Sequence, residues 1–413
     1  MPELSGSRCS QRHTHARTQV LSLEAITPLW TGDVKRRSDC VRETGVLGSL
    51  RWWYEAILRS LDRRACDPVD RDDRCLFDSE GYYRASGSSA ERLSRAGLCH
   101  ACQAYGATGY GRPFRLMLSG GKPCFNGGGL QVLPTGRTHG WNLGAGLIGD
   151  IELGWLPLHA EFDPVTVLLP LALACRWGGL GARTQLGYGV LKPAGDSVLP
   201  LDSHMLEEWH KRLDSTDGNA GNLPDLRDFF FAEIQFTVTG DDWWREVDGF
   251  LQIQNVTHWV QNSGSVPIAP ALKNWMRYGN NGRPAIGGIN GKSPRDVEDW
   301  VFGKSRPEPR QRSRIHISCA YRVLTQAEQT TWEFRVWGWL PLMDGFQRDT
   351  FLNDLKGKLS NGIAVDHIFS GGGSEAVSSV KLVVWREYHS DRDREKTSTP
   401  YEFLKSLVLE NDE

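Results

Sequence analysis

Long apolar runs are missing from this 413-residue chain. The longest, such as Val167 to Ala174, fall far short of the ~20 residues that a helix needs to cross a bilayer, so no membrane span is expected. A surplus of one charge is missing too. The 48 Lys and Arg stand against 50 Asp and Glu, a net charge of −2, so the whole chain has no field for gathering polyanions and any nucleic-acid surface must be local. No secretory signal opens the chain, and nine cysteines are an odd number. Both speak against a disulfide framework and for a soluble protein of the reducing cytoplasm, with Cys9, Cys40, Cys124, Cys175 and Cys319 as free thiols. The glycine-dense run Gly178 to Gly189 lacks the Lys-Ser/Thr of a phosphate loop and the third glycine of a dinucleotide site, which excludes both.

What the chain does have is length for two or three domains, and two are expected. Residues 1–18 read as a flexible leader, 19–200 as a first domain, 201–226 as a polar linker ending in DSTDGNAGNLPD, and 227–413 as a second domain. In the first, Val20 to Ile26 alternates as a strand that Pro28 and Gly32 end. Apolar positions at Val46/Leu47, Leu50, Trp53/Tyr54, Ile57/Leu58 and Leu61 mark a helix. Phe114–Leu118 and Leu147–Leu158 read as strands with a glycine-rich loop between them, and Asp163 to Trp177 as a buried helix disturbed by Pro170. The second half predicts strands at Phe229–Val238, Arg314–Ser318, Thr331–Leu340 and Val380–Trp385, with helices at Pro270–Tyr278 and Asp349–Leu359. The shared order of elements suggests an internal duplication, with extra residues at about 62–104 inserted into the first copy. The sixteen tryptophans are expected mainly in core packing and interfaces.

That insertion holds Cys66 and Cys75, then Cys99-x-x-Cys102. A C-x-x-C turn lets two thiolates reach one tetrahedral ion, and a second pair in a polar loop with little apolar content completes the ligand set of a structural zinc site. His100 could replace one of the upstream cysteines.

Cations cluster locally. From Lys35 to Arg64 there are eight Lys/Arg against four Asp/Glu, and from Lys304 to Arg322 six against one. Lys35, Arg36, Arg37 and Arg42 lie in a loop ahead of the first helix, where they can follow a phosphate backbone or simply aid solubility. On that helix Arg51, Glu55 and Arg59 form an i, i+4 series, either a solvated ion-pair stripe or an RNA contact. Tyr110, Arg112 and Arg115 flank Phe114, and ring with guanidinium suits stacking on unpaired bases as well as a half-buried strand. Lys273 and Arg277 sit on the helix of the second half. Lys304, Arg306, Arg310, Arg312 and Arg314 form the strongest run, kept extended by Pro307 and Pro309, and phosphate contact is the preferred reading.

Four stretches in order resemble the RAMP superfamily of CRISPR proteins: Ile26-Thr27-Pro28-Leu29-Trp30-Thr31-Gly32, Val46-Leu47-Gly48-Ser49-Leu50-Arg51-Trp52-Trp53, Cys99-x-x-Cys102-x-x-Tyr105-Gly106 with Arg112-x-Phe114-Arg115-Leu116, and the run ending Gly187-Tyr188-Gly189. Together they look like the first RAMP subunit of the type III-B (Cmr) effector complex. The resemblance implies an α+β protein of two tandem ferredoxin-like (RRM-related) RAMP domains with a zinc-binding insertion. It also implies a non-catalytic RNA-binding subunit near the crRNA 3′ end, with crRNA, target RNA and other Cmr-type subunits as partners in antiviral defence. It makes Arg183 and its glycine loop candidates for the RNA backbone. Tyr105 stands where phenylalanine is commoner, which keeps the ring. Related backbone subunits cut RNA with one loop aspartate and a divalent metal, so a metal-dependent endoribonuclease using Asp33 is the alternative. No motif ties a second carboxylate or histidine to Asp33, and an aspartate after Gly32 is also a common turn former.

Overall fold

The structure is a computed structural model that describes residues 19–35, 37–125, 129–195, 197–213, 222–279, 281–289, 294–304, 309–326 and 329–409. The first unit runs β1 (Gln19–Leu29), α1 (Glu43–Ser60), the short helices α2 (Ser79–Arg84), α3 (Ser89–Arg95) and α4 (His100–Tyr105), β2 (Phe114–Pro123), the hairpin β3 (Leu130–Val132) and β4 (Trp141–Leu143), β5 (Leu147–Pro157), α5 (Val165–Trp177) and β6 (Leu191–Pro193). Its sheet order is β2-β5-β1-β6, with every neighbour antiparallel. Without α2–α4 and the hairpin, what remains is β-α-β-β-α-β with the fourth, first, third and second strands side by side, the ferredoxin-like arrangement.

Strand β1 continues through Pro28 to Leu29, past the expected stop. Its register with β5 shifts between Ala25 and Leu29, and the amides of Ile26 and Thr27 both donate to the Val190 carbonyl. At such a bulge a residue without an N–H costs the ladder little. Strand β2 likewise runs on through Gly120 and Gly121 to Pro123, where a loop was expected.

The second unit opens with α6 (Ser203–Lys211) and runs β7 (Phe229–Thr239), α7 (Ile253–Ser263), β8 (Ser265–Val266), α8 (Ala269–Tyr278), α9 (Pro294–Phe302), β9 (Ile315–Ile317), β10 (Ala320–Gln326), β11 (Gln329–Trp339), α10 (Arg348–Ser360), α11 (Ile363–Asp366), β12 (Val377–Glu387) and α12 (Pro400–Val408). Its sheet order is β12-β7-β11-β10-β8, with β9 also paired to β11. Strands β7, β10, β11 and β12 repeat the fourth-first-third-second order, so the two halves are the same topology used twice. The start of the expected linker is a docked helix instead. Asp202 caps α6, Leu206 and Trp209 are buried, and the Trp209 indole donates to the Tyr54 hydroxyl at 3.1 Å.

The strand period places Phe229 and Phe231 of β7 on one face and Phe230, Ile234 and Phe236 on the other. The second group packs with Trp259, Leu272, Met276, Phe351 and Leu355 into a core under the unit's own helices. The first group, with Trp337 of β11, meets the helices of the first unit: Trp53 lies 5.2 Å from Trp337 and 5.4 Å from Phe229, and Trp177 of α5 lies 5.9 Å from Phe231. Helices α1 and α5 are thus sandwiched between two sheets. The C-terminal α12 joins the same layer through Phe403, Leu404 and Leu407, and the Trp177 indole donates to the Leu407 carbonyl at 2.7 Å. Further along this face Arg335 donates to the Cys175 carbonyl and to the Tyr321 hydroxyl, and burial pushes the Glu233 carboxyl up to about 7 against the pull of Arg335.

Removing a buried indole at this layer leaves a cavity that both units share. Trp53→Ala is expected to cost about 3–5 kcal/mol in denaturant unfolding, whereas Tyr83→Ala, at a ring 78% exposed, should cost under about 0.5 kcal/mol. Matching losses for the two variants would contradict the shared layer.

Candidate functional site

The four cysteines predicted as ligands converge. Cys66, from the segment after α1, and Cys75 meet Cys99 and Cys102 at the start of α4, and all four are buried with their sulfurs within 4.8 Å of one another. In a tetrahedral zinc thiolate site, bonds of about 2.3 Å put sulfurs about 3.8 Å apart, and Cys66 and Cys102 stand 3.5 Å apart. His100 is not a member of this group among the described residues. Four thiols this close cannot all ionise without a cation. Hydrogen bonding from Cys102, then Cys66 and Cys75, lowers the Cys99 pKa, while the contact with Cys66 comes first in raising that of Cys102. Soft sulfur donors, full burial and a closed set suit one metal ion.

Arg51, read in sequence as a surface cation, is built into this site. Its Nη2 donates to Cys102 Sγ at 3.3 Å, its Nη1 to the Gly106 carbonyl at 2.9 Å and its Nε to Glu55 at 2.7 Å. The Arg51–Glu55–Arg59 series is therefore no solvated stripe. Glu55 is 5% exposed and Arg59 3%, and Arg59 bonds the carbonyls of Ala65, Cys66 and Pro224. The insertion packs over that face of α1 and turns it inward.

The remaining cations divide. Arg112 is bound to the Glu43 carboxylate and donates to the Phe114 carbonyl. Arg42 pairs with Asp39 at 2.7 Å. Arg277 and Lys304 share Asp299, and Arg277 also donates to the Gly303 carbonyl. Arg314 lies between the rings of Trp300 and Trp339, 4.2 and 4.5 Å away, a half-buried cation whose pKa burial lowers to about 10. These five brace the fold. Lys35, Arg37, Arg115 and Arg310 are exposed, although Arg37 also touches Asp33. Tyr110 is half-buried against Phe77. Arg36 and Arg306 lie outside the described residues.

Asp33 is a turn residue. Its carboxylate accepts the Arg37 amide at 2.8 Å and lies 3.8 Å from both Arg37 and Arg42. The Arg37 amide holds it below the usual carboxylate range. Strand β1 is followed directly by this turn, so Gly32 and Asp33 give the chain its bend into α1.

Sequence distance hid a third assembly. The glycine run leaves α5 at Gly178, where an added Cβ would meet the Trp53 ring at 2.4 Å, and reaches Gly187, where a φ of +106° and the 2.6 Å from an added Cβ to Cys319 Sγ require glycine. It crosses to the second unit there. Arg183 lies over the Trp30 ring at 3.8 Å, Thr184 bonds His316 at 2.8 Å, and His316 stacks on Trp337 at 3.9 Å. Burial, then Lys273, pushes His316 down to about 3, so its ring is neutral. Lys273 of α8 borders the same junction. Burial, then Arg277, lowers its pKa to about 7, and no acid compensates it among the described residues. No motif could have paired His316 with Thr184.

The sheet faces differ. The second sheet's helix-free face is covered by α1 and α5. The first sheet's helix-free face carries Ser22, Glu24, Glu152, Arg115, Met117 and Lys192, with Lys192 paired to Glu24. These residues include no ring for base stacking.

Residues 22–192 match the family model of the RAMP superfamily. The second unit lies outside the match. Among solved structures the chain is similar to Cmr1 from Pyrococcus furiosus in its apo form, at 14% identity over 81% of this chain and 93% of that one, TM-score 0.32. It is also similar to a chain of the type III-B Cmr-beta complex bound to cognate target RNA and AMPPnP in the presence of ssDNA, at 10% identity over 82% and 98%, TM-score 0.34. Cmr6 from Pyrococcus furiosus matches at 14% identity over 43% of this chain and 98% of its own, TM-score 0.23. No curated protein matches.

Elemental analysis of protein purified without chelator should find about one divalent metal equivalent per chain, lost in Cys99→Ser. Less than about half an equivalent in the unsubstituted protein would count against the cysteine site.

Proposed function

We propose that this chain, whose residues 22–192 match the family model of the RAMP superfamily, is a non-catalytic RNA-binding subunit of a type III-B CRISPR RNA-guided effector. It docks near the crRNA 3′ end and helps capture target RNA in antiviral defence. Its partners are crRNA, target RNA and other Cmr-type subunits. Two tandem RAMP domains, one on each side of the polar segment at 201–226, supply the framework.

The observation that carries this is the inter-unit junction. A glycine-rich loop with little side-chain bulk stands beside Arg183 and Lys273, and no acid among the described residues compensates the Lys273 ammonium. A phosphate restores that balance. Exposed Lys35, Arg37, Arg115 and Arg310 extend the positive surface, and Arg36 and Arg306, which lie outside the described residues, are proposed to add to it. Arg51, Arg112, Arg277 and Lys304 are held by protein partners, and Tyr110 packs on Phe77, so these contribute by shaping the surface. Affinity comes from phosphate contacts, and sequence choice from crRNA pairing with its target.

The metal at Cys66, Cys75, Cys99 and Cys102 is zinc, held by four thiolates with no position left for water, and it supplies folding energy to the insertion. Arg51 links that staple to α1. Asp33 is spent on its turn and on two arginines, and no observation favours cleavage.

Binding to a single-stranded RNA oligomer tests the reading. Lys273→Gln and Arg183→Gln should each weaken binding by about 5–20-fold and lower the salt slope by about one. Because the Lys273 ammonium is present below about pH 7 and lost above it, affinity should fall as pH rises from 6 to 8.5, and Lys273→Gln should flatten that profile. Unchanged affinity and slope in both variants would refute the junction as the RNA contact. Cleavage of RNA with magnesium, abolished by Asp33→Ala, would establish the nuclease instead.

A further inference from the structure

His316 carries one group more than its packing uses. Its ring lies flat on Trp337, at 3.9 Å and 7°, which fixes the ring's plane, and Nδ1 meets the Thr184 hydroxyl at 2.8 Å, which fixes its rotation in that plane. Those two contacts would suffice for a histidine of the core. Yet the residue is only half-buried, and Nε2 has no partner among the described residues and is not one of the enclosed unpaired atoms. Lys273 Nζ is in the same condition: half-buried, without a partner among the described residues, and open. The two groups are neighbours. Helix α8 and strand β9 both pack on the turn Thr184–Leu186, and Lys273 stands close enough to His316 to add to the fall in its pKa.

An uncharged imidazole held in this way is a two-way group. The Thr184 hydroxyl donates to Nδ1 in one tautomer and accepts from it in the other, so Nε2 is a donor in the first and an acceptor in the second. A phosphate oxygen only accepts and suits one of these. A hydroxyl donates and accepts, and suits both. The ribose 2′-hydroxyl is such a group, and its presence is what lets a protein tell RNA from DNA at a given site. It sits on the carbon next to the one that bears the 3′-phosphate, so hydroxyl and phosphate reach a protein together. A neutral two-way nitrogen beside an uncompensated ammonium is the matching pair.

The geometry points to His316 as a specificity-determining residue that reads one ribose 2′-hydroxyl through Nε2 while Lys273 holds the adjoining 3′-phosphate, so that the junction takes RNA in preference to DNA. This deepens the proposed RNA role and rests on it. Thr184 is a positioning residue, acting through the His316 ring. A free ribonucleotide with a 3′-phosphate has the same chemistry and is the other source to separate.

The test measures binding of the full chain, at one salt concentration, to a single-stranded RNA, to DNA of the same base sequence with uracil kept, and to uridine 3′-monophosphate. The unsubstituted protein should favour RNA over DNA by about 3–10-fold, the worth of one hydrogen bond. His316→Phe keeps a ring on Trp337 and removes both nitrogens, and should abolish that preference by weakening RNA binding alone. Thr184→Val, which frees the ring to turn, should reduce it in the same direction. Lys273→Gln should weaken both strands equally and leave the preference intact, whereas a histidine that only packs would move both strands together or neither. Circular dichroism checks that each variant folds, and Thr184→Val carries the test if His316→Phe does not. RNA and DNA bound equally by the unsubstituted chain, or a preference that survives in both His316→Phe and Thr184→Val, overturns the hydroxyl contact and leaves the RNA role standing. Binding of the monophosphate but not of RNA, lost in His316→Phe, keeps the hydroxyl contact, assigns it a free nucleotide and overturns the RNA role. Binding of none of the three overturns both.

Discussion

The aromatic layer between the helices of the first unit and the sheet of the second decides what the rest of the molecule can do. Trp52, Trp53 and Trp177 on α1 and α5 face Phe229, Phe231 and Trp337 across it. Burying rings of this size is worth more than any surface ion pair in the protein, since aromatic side chains each remove on the order of 150–250 Å² from water. The layer occupies the face that an RRM-like sheet would otherwise turn to RNA. The second sheet therefore has no stacking platform to offer, and any contact with nucleic acid is left to edges, loops and the junction between units.

That constraint explains where the cations went. Guanidinium groups drawn into the protein have to be paired: buried Arg59 and Arg335 and half-buried Arg51, Arg277 and Arg314 are bonded to carboxylates, carbonyls or ring faces. The cysteine site continues the same logic. The insertion has few apolar residues to hold it, so four converging cysteines that can hold a metal ion, and the Arg51 bridge to Cys102, offer what a larger core would do elsewhere. Arg51, reaching the Cys102 sulfur from α1, ties the inserted segment to the helix at the centre of the sandwich.

Much of this was legible in sequence where one element explains itself. The α1 period, the β7 alternation, the α5 apolar run and the C-x-x-C pair each report a local rule. The duplicated order of strands and helices was visible for the same reason. What stayed hidden depended on contacts between distant residues. Pro28 reads as a strand stop until Val190 supplies a bulge partner, and the segment at 203–211 reads as linker until Trp209 finds Tyr54. A run of arginines has one spelling whether it faces water or a tryptophan, so Arg314 and Arg115 could not be told apart before the fold was known. Helices α7, α9 and α12 span only 9 to 11 residues, two to three turns, too few for an apolar period to stand out.

Photo-crosslinking of bound RNA followed by peptide mass spectrometry tests the central claim, that the covered sheet leaves the junction as the contact surface. Crosslinks should fall on the peptides of the Gly178–Gly189 loop and of Ala269–Tyr278. Crosslinks concentrated on Phe229–Thr239 and Gln329–Trp339 would contradict it, because those strands would have to be open to the strand they are walled off from.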